Sequence, residues 1–336
     1  MIHSAAPRAT EIAMEISNQS QPTPRCVLLL GGHGFAGRHV QEAFAGAPHA
    51  LHARSRRDGV DVRDTEAVRR ALAELAPDVI VHCAATVGSL NWVTERAAEV
   101  FDDNLRMLLS LYRAVAGLPA GRRPVIINPV ANCAYPGDLE LYREEDFWNG
   151  PVHPSVLSYG NTRRMMLVAG DCYGMQHGVR SIQLLVPNMY GPHDSTDPNK
   201  AHAVNALVGK LVKASAEERD SFEVWGSGVA VREWLYAGDF GRLVLDVVGR
   251  ADSPAFDGPV NLAQKRGFSI REVVDFLVAE LGYPGRVVWD RSRPDGAASK
   301  VMDDTRFRRV FPDFRFTDLA EGVRRTAAYY RSRLPY

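Results

Sequence analysis

A short apolar run, Cys26–Leu30, ends in Gly31-Gly32-His33-Gly34-Phe35-Ala36-Gly37, and a helical pattern begins at once. The turn reads G-x-x-G-x-x-G and, counted from Gly32, also G-x-G-x-x-G. Glycines at these places let a backbone approach a pyrophosphate and leave helix N–H groups aimed at it. A glycine pattern alone is weak evidence, but one set between a strand and a helix predicts dinucleotide binding. Gly31, Gly34, Phe35, Ala36 and Gly37 are the expected contacts.

The rest of the chain keeps that rhythm. Helical patterns over 64–76, 94–116 and 158–177 alternate with apolar runs at 78–82, 124–127 and 180–185. Strict strand–helix alternation predicts a parallel sheet with helices on both faces. Residues 187–200, rich in Pro, Gly, Asp and Asn, then read as a loop at a site mouth. Beyond them, helices near 201–214, 239–250, 269–282 and 316–333 are expected, with strands near 222–225, 231–236, 259–262 and 286–289. The expected architecture is α/β: a Rossmann-like doubly wound parallel sheet with a smaller C-terminal α/β substrate lobe. Residues 1–24 read as a disordered lead-in and 25–187 as the cofactor domain, with segments returning near 231–262. Residues 188–336 are assigned mainly to the lobe.

The second strand, near 49–53, runs into Arg54-Ser55-Arg56-Arg57, where a site for unphosphorylated NAD carries an acid. Guanidinium groups suit a 2′-phosphate, which favours NADP. Asp61-Val62 is placed to meet the adenine, and the small Ala84-Ala85 lets the cofactor pass the end of the next strand.

Composition narrows the partners. The 40 basic and 40 acidic residues cancel, so no footprint for nucleic acid or an acidic membrane exists. No apolar run reaches the roughly 18 residues of a membrane span. Cys26, Cys83, Cys133 and Cys172 are scattered without a C-x-x-C pair, which fits reduced thiols. A cytoplasmic protein with a small-molecule partner is expected.

Tyr159 and Arg163 share one helix face at i, i+4. The place resembles the Y-x-x-x-K of extended short-chain dehydrogenases/reductases, with arginine for lysine. Asn132-Cys133-Ala134-Tyr135-Pro136 is similar to the S-S-C-I-Y-P segment of the GDP-L-fucose synthase family. Pro187-Asn188-Met189-Tyr190-Gly191-Pro192-His193-Asp194 resembles its P-T-N-L-Y-G-P-H-D loop. Trp225-Gly226-Ser227-Gly228 with Arg232-Glu233 resembles W-G-S-G…R-E, and Arg293-Pro294-Asp295-Gly296 resembles K-P-D-G. The segments keep their order and cover nearly everything from residue 26 onward.

The resemblance implies an NADP-dependent enzyme that epimerises C3 and C5 of GDP-4-keto-6-deoxymannose and then reduces C4. A C4 ketone acidifies the protons on C3 and C5. By the resemblance Cys133 is the base and His193 the acid, a thiol near about 8.5 and an imidazole near about 6.5. Tyr159 holds the C4 oxygen, and Arg163 keeps the positive charge that depresses the tyrosine pKa. Pro187 and Asn188 join the cofactor contacts. Asn132, Asn188, His193, Lys210, Trp225, Arg232 and either Asp290 or Asp295 join those to the substrate, while His202 and Asn205 fall where the family reads S-H-V-I-P. A homodimer is the family's habit.

One departure is sharp. The family's catalytic serine corresponds to Ala131, and no Ser or Thr occurs from 128 to 137. Losing one donor to a developing oxyanion costs on the order of 10²–10³ in rate. An epimerase with weak or absent C4 reduction is therefore an alternative. So are a non-catalytic NADP-binding sensor or scaffold and another nucleotide-sugar dehydratase or 4-epimerase, the last predicting tightly held NAD.

Overall fold

The computed structural model describes residues 23–197, 200–292, 295 and 297–336. Residues 1–22 of the expected lead-in lie outside these, as do Arg293, Pro294 and Gly296 of the family-like segment. The strands are β1 (Cys26–Leu30), β2 (Ala50–Arg54), β3 (Val79–His82), β4 (Val125–Ala131), β5 (Ser181–Val186), β6 (Asn188–Tyr190), β7 (Ser221–Trp225), β8 (Val231–Tyr236), β9 (Val260–Asn261), β10 (Gly267–Ser269), β11 (Arg286–Asp290) and β12 (Ser299–Lys300). The helices are α1 (Phe35–Phe44), α2 (Thr65–Leu75), α3 (Leu90–Glu95), α4 (Ala97–Ala116), α5 (Leu157–His177), α6 (Ala203–Ala216), α7 (Ala237–Gly249), α8 (Ile270–Leu281), α9 (Thr305–Val310) and α10 (Leu319–Arg331).

Six parallel strands form the main sheet in the order β2-β1-β3-β4-β5-β9. Val27–Leu30 and Val79–Val81 are wholly buried, as strands covered on both faces must be. On one face α2, α4 and α5 supply Val68, Leu72, Leu108, Leu111 and Met166 to the core. On the other, α1 and α7 supply Val40, Phe44, Phe240, Leu243 and Val247. Chain order reverses direction between β1 and β3, so the crevice for a ligand opens at their C-terminal ends. The glycine turn leaves β1 at that point.

The chain departs from the expected elements for local reasons. The helix expected over 94–116 is two helices, broken at Arg96, whose ψ of 33° lies outside the helical well. The strand expected at 124–127 continues to Ala131 through Pro129. Pairing with β3 stops at Ile127, so Pro129 sits where β4 has a neighbour on one edge only. α9 and its aromatic neighbours Phe311, Phe314 and Phe316 pack on α7 in the cofactor domain, a second return beyond the one expected near 231–262.

The lobe has its own core, built from α6, α8 and α10 around Tyr190, Val208, Leu211, Trp234, Leu277 and Tyr330. A mixed sheet, β10-β8-β12 with β6 paired to β8, joins it to the main sheet, and β7 pairs with β11. Ser269 and Glu272 start α8 with reciprocal caps. Among the described residues no helix is long and apolar enough to cross a membrane, and all four cysteines are free.

Candidate active site

The glycine turn fits a pyrophosphate by exclusion of side chains. A Cβ on Gly31 would lie 2.6 Å from Ala84 N, and one on Gly37 would lie 2.3 Å from Gly31 O. Gly31 also has φ +82°, where side chains are strained. Gly34 caps α1 with no side-chain bond, so the first-turn N–H groups stay available for an anion. Ala84 meets the turn directly, as its small size predicts.

Around the end of β2 the arrangement is richer than expected. Arg54 pairs with Glu74 of α2 at 3.0 Å. Asp61 is paired with Arg63 at 2.7 Å, and the same guanidinium also reaches Asp103 at 2.9 Å. Val62 is buried in the core. The exposed side chains here are Arg56, Arg57, His33 and Asp58.

At the end of β4 the chain makes a single tight turn, Asn132–Ala134, against α5. Gly160 allows this, since a Cβ there would sit 2.6 Å from Cys133 O. Tyr159 is thereby brought beside Cys133. The Arg163 guanidinium lies 4.7 Å from the Tyr159 ring centroid, and its Nη2 donates to Asn104 Oδ1 at 2.5 Å. Asn104 is itself fixed, accepting from Thr86 N and donating to Thr86 O and Val100 O. Burial pushes the Tyr159 phenol up, with Arg163 pulling against it and Cys133 adding to the rise. The expected depressed tyrosine is thus corrected: desolvation outweighs the cation. Burial also raises the Cys133 thiol, opposed by Lys300 and Arg163. Asn132 is 3% exposed, and its Nδ2 has no hydrogen-bond partner.

His193 is held by contacts of its own. Its backbone is left-handed, φ +69°, and its Nε2 meets Glu42 Oε1 at 2.5 Å. Its ring packs between His39 and Tyr329. Its partners therefore lie on α1 and α10, none of them a partner of Cys133 or Tyr159. His202 packs on the glycine turn from the 187–202 segment, its ring centroid 5.1 Å from that of Phe35. Asp194 Oδ2 accepts from His202 N at 2.8 Å and meets Nδ1 at 3.1 Å, and Asn205 also donates to it. With Nδ1 engaged, Nε2 is the end that can exchange a proton.

In the lobe, Lys210 lies over Trp225, 4.7 Å to the centroid, and Trp225 is 40% exposed. Burial lowers the pKa of Lys210 and of Arg232, which marks both as cations poorly served by water. Arg232 pairs in register with Lys300 across β8 and β12. Asn188 donates to Glu233 O at 3.4 Å, and Pro187 bridges β5 to β6. The two candidate carboxylates are both engaged. Asp295 accepts from Ser227 N and Oγ, closing the Trp225 turn, and Asp290 accepts from Ser292 N and Oγ. Lys300 was not legible beforehand, because nothing in chain order joins residue 300 to 133. For His202 the signal was only that it falls, with Asn205, where the family reads S-H-V-I-P.

Comparison with known proteins bears on family and fold. The model of the NAD dependent epimerase/dehydratase family matches residues 27–263. A GDP-L-fucose synthase of Azorhizobium caulinodans is 28% identical, over 90% of this chain and 96% of its own. A dTDP-4-dehydro-6-deoxy-D-allose reductase of Streptomyces bikiniensis is also 28% identical, over 91% and 96%. Among solved structures, a GDP-L-fucose synthetase from Naegleria fowleri bound to NADP superposes with a TM-score of 0.80 at 23% identity, covering 93% of this chain and 95% of that one.

Proposed function

The chain belongs to the NAD dependent epimerase/dehydratase family, and we propose that it is an NADP-dependent epimerase/reductase of a nucleotide-linked 4-keto-6-deoxy sugar, GDP-linked by its resemblance. The observation that carries this reading is the packing of Tyr159, Cys133 and Arg163 into one group through the close approach at Gly160. The cofactor fits the bare glycine turn, with Gly31, Gly34 and Gly37 at its pyrophosphate and Arg163 near its nicotinamide end. NADPH, when bound, supplies the hydride for C4.

The protein's part follows from residue chemistry. Cys133, with Lys300 and Arg163 favouring its thiolate, removes a proton next to the ketone. A proton is returned by His193, the acid by resemblance, held by Glu42, or by His202, held by Asp194. Tyr159 donates to the C4 oxygen. Asn132, whose buried Nδ2 has no partner, supplies the second donor that Ala131 cannot. Arg232, Lys210 and Lys300 face the diphosphate, and Trp225 plates the base.

Incubation with GDP-4-keto-6-deoxymannose in D₂O tests the reading. Deuterium at C3 or C5, with NADPH consumed, is the expected result. Deuterium uptake without NADPH oxidation supports the epimerase whose reduction is lost with the serine. No uptake removes Cys133 and both histidines, His193 and His202, from the chemistry.

A further inference from the structure

The basic run after β2 hides an acid that folds back onto it. Ser55 accepts from Arg57 N at 3.1 Å and starts a single turn, Arg56–Asp58. Asp58 N then donates to Ser55 O, and Ser55 Oγ donates to Asp58 Oδ2 at 2.9 Å. Gly59, at φ +78°, turns the chain away. Asp58 is thereby returned to the end of β2, the place from which an acid reads the adenosine ribose in sheets of this kind. His33 reaches it from the tip of the glycine turn. Its Nε2 lies 3.0 and 3.2 Å from the two carboxylate oxygens. The other charged groups nearby are Arg56 and Arg57, exposed on the same turn, and Arg38 on α1, whose Nε donates to His33 O.

We propose that Asp58, masked by His33, sets how strongly this chain distinguishes the phosphorylated from the unphosphorylated adenosine ribose. The inference rests on the dinucleotide reading above. A carboxylate at this place accepts from ribose hydroxyls and repels a 2′-phosphate, whereas arginines attract one. Here Arg56 and Arg57 share one turn with Asp58, and the imidazole engages the carboxylate. His33 holds the Asp58 carboxyl below the usual carboxylate range, Ser55 assisting. With both oxygens engaged by His33, Asp58 meets a ribose hydroxyl or a 2′-phosphate only in competition with the imidazole. Selectivity for NADP over NAD is graded, and it is set by the pair rather than by the arginines alone.

Calorimetric titration of the full chain with NADP⁺ and with NAD⁺ reads this without turnover. D58N, which keeps the turn's hydrogen-bonding shape, is expected to tighten NADP⁺ about tenfold and to weaken NAD⁺ a few-fold. H33A, which unmasks the acid, is expected to weaken NADP⁺ about tenfold while NAD⁺ moves less than about twofold. H33A/D58N is then expected to return NADP⁺ to the parent value or better. An unchanged NADP⁺/NAD⁺ ratio in D58N overturns the assignment, as does a double variant as weak as H33A, which would make His33 a direct phosphate ligand. A parent chain that binds neither dinucleotide overturns the cofactor reading and this inference with it.

Discussion

Arg163 covers the face of the Tyr159 ring, 4.7 Å from its centroid, while its Nη2 is held by Asn104. The charge is thus spent partly on the ring and partly on an amide, and burial prevails at the Tyr159 hydroxyl. A lysine carries a compact charge with neither commitment. Combining R163K with A131S restores both the ammonium and a hydroxyl donor at the end of β4. The double variant is expected to raise C4 reduction at least about tenfold, since one oxyanion donor is worth on the order of 10²–10³ in rate. NADPH absorbance measures it, and a rate equal to the parent's means the site is built for a different carbonyl geometry.

Asn132 gives the complementary test. A buried amide donor without a partner costs free energy, so its retention points to a ligand oxygen. N132A should lower C4 reduction by about 10²-fold or more, with NADP⁺ affinity unchanged in calorimetry. N132S, which keeps a donor, should recover part of the loss. Equal rates in N132A and the parent would leave Asn132 a packing residue.

Two histidines compete for one role, and they separate by isotope. Whichever of them is the acid, its replacement by Asn should block inversion at C3 and C5 while Cys133 still exchanges deuterium at both carbons. H193N also breaks the bond to Glu42, at a stability cost of about 1 kcal/mol. Inversion intact in both H193N and H202N would remove both histidines from the role.

Much of this was legible in the chain because the informative signals were local. The glycine turn, the i, i+4 spacing of Tyr159 and Arg163, and the alternation of strand and helix are all set by neighbours in sequence. What escaped depends on contacts across many residues. Asp58 returns to β2 only through the Ser55 turn and His33, 25 positions earlier. Lys300 reaches Cys133 because β12 pairs with β8. His193 matched its loop's pattern, yet a left-handed backbone directs its ring to Glu42. The carboxylates Asp290 and Asp295 were candidates by type, and local turns claimed both.

Glu233 links stability to pH in the strand beside the site. It is fully buried, accepting from Gln264 N and, at 2.8 Å, from Met302 N. Burial pushes its carboxyl up from 4.5 to about 7, with those backbone donors pulling back. The folded state therefore holds this proton more tightly than the unfolded chain does. Its contribution is complete below about pH 4.5 and is lost as pH rises through 7, at up to about 1.4 kcal/mol per pH unit. His39 and His82 act in the opposite sense, since burial lowers both, His82 to about 3. The difference between the parent and E233Q isolates the carboxyl. Urea midpoints taken from pH 5 to 8 should fall for the parent relative to E233Q, and parallel curves would mean that Glu233 stays charged throughout. Met302 lies two residues from Lys300, so the same loss should loosen the strand that presents Lys300 to Cys133, and alkylation of Cys133 should report it.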